Sequence, residues 1–169
     1  MSQSSSAAPW EAPQEPAGPA PGIAFAPHGE RLIAYILDGI IVGVFVTIAA
    51  LVAGLVLYSG YSGTPANPAI TPAAWGGFAA IMVAVVVLAT GYFPWFWARS
   101  GQTPGMKRFG LRVVDDRSGA PITGGQALLR LVGMWVSGAF FSLGYIWILI
   151  DSRRRGWHDL IAGTLVVKG

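Results

Sequence analysis

The chain has 169 residues, of which 53% are hydrophobic and only 11% are charged, whereas soluble domains carry charge on roughly a quarter of their residues. A chain this poor in charge cannot cover itself with a polar surface, so its composition indicates a small integral membrane protein. The absence of cysteine excludes disulfides, thiolate metal sites and cysteine nucleophiles. The net charge of +3 is small and unevenly distributed, so it bears on membrane orientation and gives no reason to expect a nucleic-acid partner.

The first stretch of the chain, residues 1–28, is rich in Pro, Ala, Ser, Gly and Glu. Such a composition buries too little apolar surface to offset the entropy of ordering, so we expect a disordered cytoplasmic tail. The tail has neither a basic start nor a compact apolar run, and it therefore does not look like a signal peptide. We expect the first membrane helix to act as the insertion signal.

Two long apolar stretches predict two transmembrane helices, at about residues 31–58 and 75–98. The first contains Asp38, and a buried aspartate costs about 2.5 to 3.5 kcal/mol on insertion scales. The many Leu, Ile, Val and Phe residues around Asp38 outweigh that cost. The loop between the helices carries no charge, which suits a translocated segment. Pro94 lies among the aromatic residues near the end of the second helix, where we expect it to kink or end the helix.

The polar segment from residue 98 to residue 130 sets the predicted orientation. Of the eleven lysines and arginines of the chain, only Arg31 precedes Arg99. By the positive-inside rule the polar segment and the N-terminus are cytoplasmic, in a multi-pass protein of the plasma (inner) membrane. Within the segment, residues 110–115 predict a short strand.

A third apolar segment, at about residues 126–150, gives conflicting signals. As one spanning helix it would carry the arginines at residues 153–155 to the outer side, against the charge rule that orients the rest. Ser142, Leu143 and Gly144 supply a break, so the segment can instead form a broken or re-entrant hairpin. A second short strand, at about residues 163–168, favours this hairpin, because it can pair with residues 111–114 only on the same side. The spanning helix stays as the alternative.

The predicted fold class is an all-α integral membrane protein. It has two transmembrane helices, a third hydrophobic segment that is broken/re-entrant or spanning, and a small cytoplasmic two-stranded β element. Residues 29–169 form one membrane domain.

Several ordered motifs of this domain resemble those of the RDD family, which is named for one arginine and two aspartates. The motifs are Gly-Glu-Arg-Leu-Ile-Ala at residues 29–34 followed by Asp38, Gly-Gln-Thr-Pro-Gly at residues 101–105 followed by Lys107, Leu-Arg-Val-Val at residues 111–114, Leu129-Arg130, and His-Asp-Leu-Ile-Ala-Gly-Thr at residues 158–164. By position, the arginine is Arg31 and the aspartates are Asp38 and Asp159, while Asp151 resembles a frequent family residue. The resemblance implies a membrane domain without a defined activity, with transport proposed and ion or proton antiport suggested for some members.

Arg31, Tyr35 and Asp38 predict one polar stripe on the first helix, because Tyr35 lies about one turn after Arg31 and Asp38 about one turn after Tyr35. Asp38 lies about 10 Å deeper than Arg31 by the helical rise, where a carboxylate either takes up a proton or finds a partner. We expect a basic partner, either Arg130 or one of the arginines at residues 153–155. A structural hydrogen bond and proton or ion handling carry equal weight as the role of Asp38.

Asp159 and His158 are expected at the cytoplasmic boundary, after the arginine-rich turn that Asp151 begins. Asp159 can cap a turn, pair with Arg112 or Arg31, or bind a cation, and we favour capping and pairing. One carboxylate beside one histidine gives too few ligands for a metal. We expect His158 to form hydrogen bonds at the interface and not to act as a base. No metal or cofactor is predicted.

Two classes of function stay open. The first is a small oligomeric transporter of ions or small ligands, in which Asp38 takes up a proton or cation and Arg31 and Asp159 gate the cytoplasmic side. The second is an accessory or assembly subunit packed against a larger membrane complex, consistent with the small residues Gly39 and Gly43. An enzyme is not expected, since no catalytic set has supporting context. The expected partners are the lipid bilayer, anionic lipids at the basic clusters, and either further copies of the chain or a larger complex.

Overall fold

The computed structural model describes residues 18–20 and 22–169, and the predicted disorder of residues 1–17 and 21 lies outside this range. The described part is mostly helical. Its helices are α1 (His28–Ser59), α2 (Pro72–Ser100), α3 (Pro104–Lys107), α4 (Gly124–Ala139), α5 (Leu143–Ile146) and α6 (Trp157–Ala162), and its strands are β1 (Ala24–Phe25), β2 (Leu111–Asp115) and β3 (Thr164–Lys168).

Helices α1 and α2 pack against each other as a hairpin, and each is long and apolar enough to cross a membrane. This confirms the two long apolar helices expected from the sequence. At about 1.5 Å per residue, the 32 residues of α1 extend about 48 Å, which exceeds the hydrocarbon core of about 30 Å. We call the end of the hairpin at His28 and Ser100 the polar end, and the end at Ser59 and Pro72 the loop end.

Pro94 lies inside α2, which continues to Ser100. The expectation that Pro94 could end this helix is therefore wrong. A proline removes one backbone donor, but the ring of Phe93 packs on those of Tyr92 and Trp97 on either side of the proline. Those contacts hold the helical turn together across Pro94.

A three-stranded antiparallel sheet in the order β1-β3-β2 lies at the polar end. The expected pairing of the two longer strands is confirmed, with Leu111 opposite Lys168 and Asp115 opposite Thr164. The prediction of only two strands is wrong, because β1 pairs with the other edge of β3. Residues Ala24 and Phe25 fall within the stretch assigned to the disordered tail. A strand of two residues is too short to show alternation in the sequence.

The third apolar segment bends by 112° between α4 and the turn formed by α5 and the 3-10 helix Trp147–Leu149. It is therefore not one continuous helix, in agreement with the break expected at Ser142, Leu143 and Gly144. The break lies at Phe141 and Ser142, which have φ values of 51° and 62°, a backbone region that is costly for a bulky side chain. After the segment, Arg155 returns to pair with Asp116, so both of its ends lie at the polar end.

The core of the protein also lies at the polar end. Its buried members come from the sheet, the polar end of the hairpin, α3, and α4 with the loop before it. They are Ala26, Ala34, Trp97, Met106, Leu111, Val113, Ile122, Ala127 and Val166. Towards the loop end, most of the large apolar side chains of α1 and α2 are exposed. The polar end is therefore the part of the chain in which side chains can be held in fixed positions.

Candidate functional site

Buried polar side chains concentrate at the polar end of the protein. Those that are buried are Arg31, Asp38, Thr103, Arg130, Ser137, His158, Asp159 and Thr164. Five of the six sequence-predicted site residues belong to this set, and the sixth, Asp151, lies in the turn beside it. Most of the set belongs to two clusters, one around Asp159 and one around Asp38.

The Asp159 cluster consists of Asp159, Arg31, Arg130, Tyr35 and Thr164. Nη2 of Arg31 donates a hydrogen bond to Oδ2 of Asp159 at 2.7 Å, and Nη1 of Arg130 donates to Oδ1. Arg130 also donates to the Tyr35 hydroxyl at 3.1 Å and to the Thr164 hydroxyl at 2.7 Å. One carboxylate thus joins α1, α4 and the α6–β3 connection.

Asp159 also caps its own helix. It is the third residue of α6, and its Oδ2 accepts the backbone N–H of Gly156 at 3.0 Å, an arrangement that the positive end of the helix favours. Burial alone would raise the pKa of Asp159, but the charges of Arg130 and Arg31 outweigh burial and hold this pKa well below its ordinary range. Capping and pairing with Arg31, both expected from the sequence, therefore occur together.

Arg130 is fully buried and lies over the indole of Trp97, with its guanidinium carbon 4.8 Å from the ring centroid. This cation–π contact replaces part of the hydration that the guanidinium loses. Arg130 therefore belongs to the Asp159 cluster, and it is not the partner of Asp38.

The Asp38 cluster fastens α1 to the connection that follows α2. Oδ1 of Asp38 accepts from the Tyr92 hydroxyl at 2.8 Å and from the backbone N–H of Gly105 at 2.9 Å, and Oδ2 accepts from the Thr103 hydroxyl at 2.5 Å. A side chain at position 105 would have no room, since a Cβ there would lie 2.3 Å from the carbonyl oxygen of Ala34. The glycine allows the turn to approach α1 closely.

The expectation of a basic partner for Asp38 is thus wrong. The backbone N–H groups in the first turn of a helix are unpaired within the helix and attract carboxylates. At the start of α3 such a group, with the hydroxyl of the N-cap residue Thr103, serves as the partner. The sequence contained a signal for this turn, since Thr-Pro is typical of a helix start. No signal in the sequence connected that turn with Asp38.

Replacing Tyr92 by phenylalanine is expected to lower the free energy of unfolding by about 1.5 to 3 kcal/mol, because a hydrogen bond to a carboxylate is lost. Denaturant unfolding in detergent micelles measures the change. The matched control is Tyr58→Phe, since that ring is 80% exposed. Equal losses in the two variants would contradict the role assigned to Tyr92.

Asp151 organises the turn that carries the three arginines. Its Oδ2 accepts the backbone N–H groups of Arg153 and Arg155 at 3.1 Å and 2.9 Å and the Nε of Arg155 at 3.1 Å. Burial would raise the pKa of Asp151, but its hydrogen bonds with Arg155 outweigh burial and lower it. Arg31 donates to the carbonyl of Arg154 in the same turn. Asp151 therefore positions the turn against the Asp159 cluster.

His158 is fully buried between α4 and the ring of Tyr145, with a ring-centroid distance of 5.6 Å. Within residues 18–20 and 22–169, neither of its ring nitrogens has a hydrogen-bond partner, although Nε2 lies 3.4 Å from Oδ2 of Asp159. Burial lowers the pKa of His158 to about 3, and the charges of Arg130 and Arg31 act in the same direction. It is a neutral core residue, so the expectation of an interfacial hydrogen-bonding residue is wrong.

This burial predicts a loss of stability in mild acid. Between the folded pKa of about 3 and the unfolded value of about 6.5, only the unfolded chain binds a proton at residue 158. The protonation of His158 should therefore leave the free energy of unfolding unchanged above about pH 6.5. Below that pH it should lower the free energy of unfolding by at most about 1.4 kcal/mol per pH unit. His158→Phe keeps the ring and should flatten the profile between about pH 6.5 and 5.

Unfolding curves at several pH values check this prediction, with His28→Phe as the control that should retain the acid slope. A slope that persists in His158→Phe would contradict it.

No group of three or more His, Asp or Glu side chains is arranged to hold a metal ion in the part of the chain that the structure describes. The Asp159 cluster offers the pairing of opposite charges, whereas the Asp38 cluster holds its carboxylate with uncharged donors. Both aspartates have their oxygens engaged by protein donors, while the Asp159 cluster holds two arginines against one carboxylate.

Comparison with known proteins agrees with the motifs. The model of the RDD family matches residues 25–163. Uncharacterized protein YxaI of Bacillus subtilis (strain 168) is 32% identical over 144 residues, which cover 81% of this chain and 93% of that protein. Uncharacterized protein RP437 of Rickettsia prowazekii (strain Madrid E) is 29% identical over 83 residues, which cover 49% of this chain and 46% of that protein. No solved structure is significantly similar. The family match spans most of the chain, including Arg31, Asp38 and Asp159, and the protein belongs to the RDD family.

Proposed function

We propose that this protein is an accessory or assembly subunit whose helix hairpin packs against another membrane protein, without catalytic activity of its own. The observation that carries the proposal is the outward position of Gly39 and Gly43 on α1. Both residues are exposed, and nothing lies within 4 Å of the place where a Cβ would stand on either. Small residues at this spacing let a second helix approach closely in a membrane.

The state of the family residues supports the same proposal. Asp38 accepts three hydrogen bonds from protein donors, and Asp159 pairs with two arginines. Each aspartate therefore already stabilises contacts between elements of the fold. These contacts would keep the polar end rigid. A rigid polar end would hold the hairpin in a defined orientation for a partner.

We further propose that the polar end is cytoplasmic, in the plasma (inner) membrane, and that the segment from α4 to the 3-10 helix re-enters the bilayer from that side. The positive-inside rule supports this orientation, because residues 59–74 carry no charge while basic residues concentrate at the polar end. The chain has no cysteine, so single-cysteine variants are clean probes. In intact cells, an impermeant thiol reagent should label Ser62→Cys and leave Ser118→Cys unlabelled, and the reverse pattern would invert the proposed topology.

The assembly proposal is tested by purification from native membranes in mild detergent. We expect the chain to bring a larger membrane protein with it, and Gly43→Leu to abolish this association by blocking close helix contact. Gly76→Leu is the matched control, since Gly76 is also exposed with open space at its Cβ position. A wild-type chain that always emerges alone, or only with copies of itself, would contradict the proposal.

Transport of ions or small ligands is the second candidate function. A cavity beside Arg31 favours it, and a hairpin of two spans would need several copies to build a pathway. The three donors around Asp38 leave little acceptor capacity for a proton or cation, which weakens the mechanism based on that residue. Flux measured in proteoliposomes tests it, and flux that is unchanged in Asp38→Asn would discard Asp38 as the carrier.

A further inference from the structure

A cavity of about 640 Å³ lies at the polar end between α1, α2, α4 and the turn formed by α5 and the 3-10 helix. Its volume falls within the range of about 300 to 1,000 Å³ that is typical of small-molecule sites. Its walls are mainly apolar and include Leu32, Phe93, Met134, Ile146, Ile148 and Leu149. Such walls suit a hydrocarbon better than water.

Arg31 supplies a charge to this mainly apolar cavity. Its side chain is only 3% exposed, yet it belongs to the lining. Its two terminal nitrogens are bonded to Asp159 and to the carbonyl of Arg154, but its Nε has no hydrogen-bond partner among the described residues. A buried donor without a hydrogen-bond partner raises the free energy of the folded state, and the cost is larger on a charged group. The Nε of Arg31 therefore favours an acceptor that comes from a bound molecule.

The charge balance points the same way. Arg31 and Arg130 share the single carboxylate of Asp159, and all three side chains are buried. The cluster therefore has a positive charge that no buried protein group in it compensates. A buried charge without compensation is unfavourable, and an anion in the cavity beside Arg31 would compensate it.

We propose that this cavity binds an anionic phospholipid of the surrounding bilayer, with one acyl chain against the apolar walls and the phosphate near Arg31. The rim supports a bilayer lipid as the occupant, because Leu32 is 61% and Leu149 69% exposed. These side chains continue the apolar outer surface of the hairpin into the cavity, so a chain can enter sideways. Arg31 lies in the first turn of α1, at the end of the span where headgroups lie.

The first experiment uses the wild-type chain alone. The full chain is placed in nanodiscs of phosphatidylcholine that contain one tenth of a second lipid. The second lipid is either phosphatidylglycerol or labelled phosphatidylcholine with the same acyl chains. After mild detergent extraction, native mass spectrometry measures how much of the second lipid stays bound to the chain. We expect one phosphatidylglycerol per chain, retained at least tenfold over phosphatidylcholine. Equal retention of the two lipids would overturn the proposal, because it would leave Arg31 without a role.

The second experiment fills the cavity. Ile148→Trp places a larger side chain in the wall, and Leu32→Trp does so at the exposed rim, where folding is little affected. Each should reduce retention of phosphatidylglycerol at least tenfold, whereas Ile150→Trp, two residues along and 70% exposed, should retain the lipid. Wild-type retention in both cavity variants would overturn the proposal.

A third arm supplies oleate in place of phosphatidylglycerol, since a fatty acid also combines an anion with one chain. Retention of oleate at the expense of phosphatidylglycerol would overturn the phospholipid as the occupant. The proposal is independent of assembly through Gly43. The lipid is retained or lost by the single chain, so a failure of either proposal leaves the other standing.

Discussion

Replacing Asp159 by asparagine is expected to lower the free energy of unfolding by about 3 to 5 kcal/mol, the usual cost of removing one partner from a buried ion pair. The substitution keeps the shape of the side chain but leaves Arg31 and Arg130 as buried charges without a counter-ion. Denaturant unfolding in detergent micelles, together with the fraction of monodisperse protein after extraction, measures the loss.

The matched control is Asp116→Asn. Asp116 also pairs with two arginines, Arg153 and Arg155, but these side chains are partly exposed. Solvent screens such pairs, so we expect a loss of about 1 kcal/mol or less. Similar losses in the two variants would show that burial of the Asp159 cluster does not have the energetic consequence assigned to it.

The second large effect is expected for Gly133→Ala. A Cβ at this position of α4 would lie 2.6 Å from Cα of His158 and 3.1 Å from its Cβ. Backbone atoms cannot move aside as a flexible side chain can, so α6 would have to shift and carry Asp159 away from its arginines. We expect a loss of about 1 to 3 kcal/mol, as for other overpacked sites, measured by the same unfolding experiment.

Gly138→Ala in the same helix separates packing from helix propensity. Nothing lies within 4 Å of its Cβ position, so alanine should stabilise α4 by up to about 1 kcal/mol. The two substitutions should therefore have opposite signs. A gain of stability in both would mean that α6 is not held closely against α4.

The prediction of the Asp159 cluster was partly possible from the motifs. Arg31 and Asp159 were candidates, with pairing between them among the alternatives, because both belong to patterns that resemble those of one family. Arg130 was also a candidate, but as one of several alternative partners for Asp38. Whether Arg130 contacts Asp38 or Asp159 depends on how α4 packs against α2 and α6. No local sequence pattern predicts that packing.

The amino-acid sequence by itself determined the two apolar spans, the burial of Asp38 within the first of them and the pairing of β2 with β3. The two apolar helices and the burial of Asp38 follow from hydropathy, which adds up over neighbouring residues and needs no knowledge of distant ones. The pairing of the two strands was predicted because two short strands in one chain can pair only on the same side of the membrane. The tertiary structure alone decided the partners of Asp38, which lie 54, 65 and 67 residues further along the chain at Tyr92, Thr103 and Gly105. It also decided the strand β1 and the cavity beside Arg31, because each arises only where segments far apart in the chain meet at the polar end.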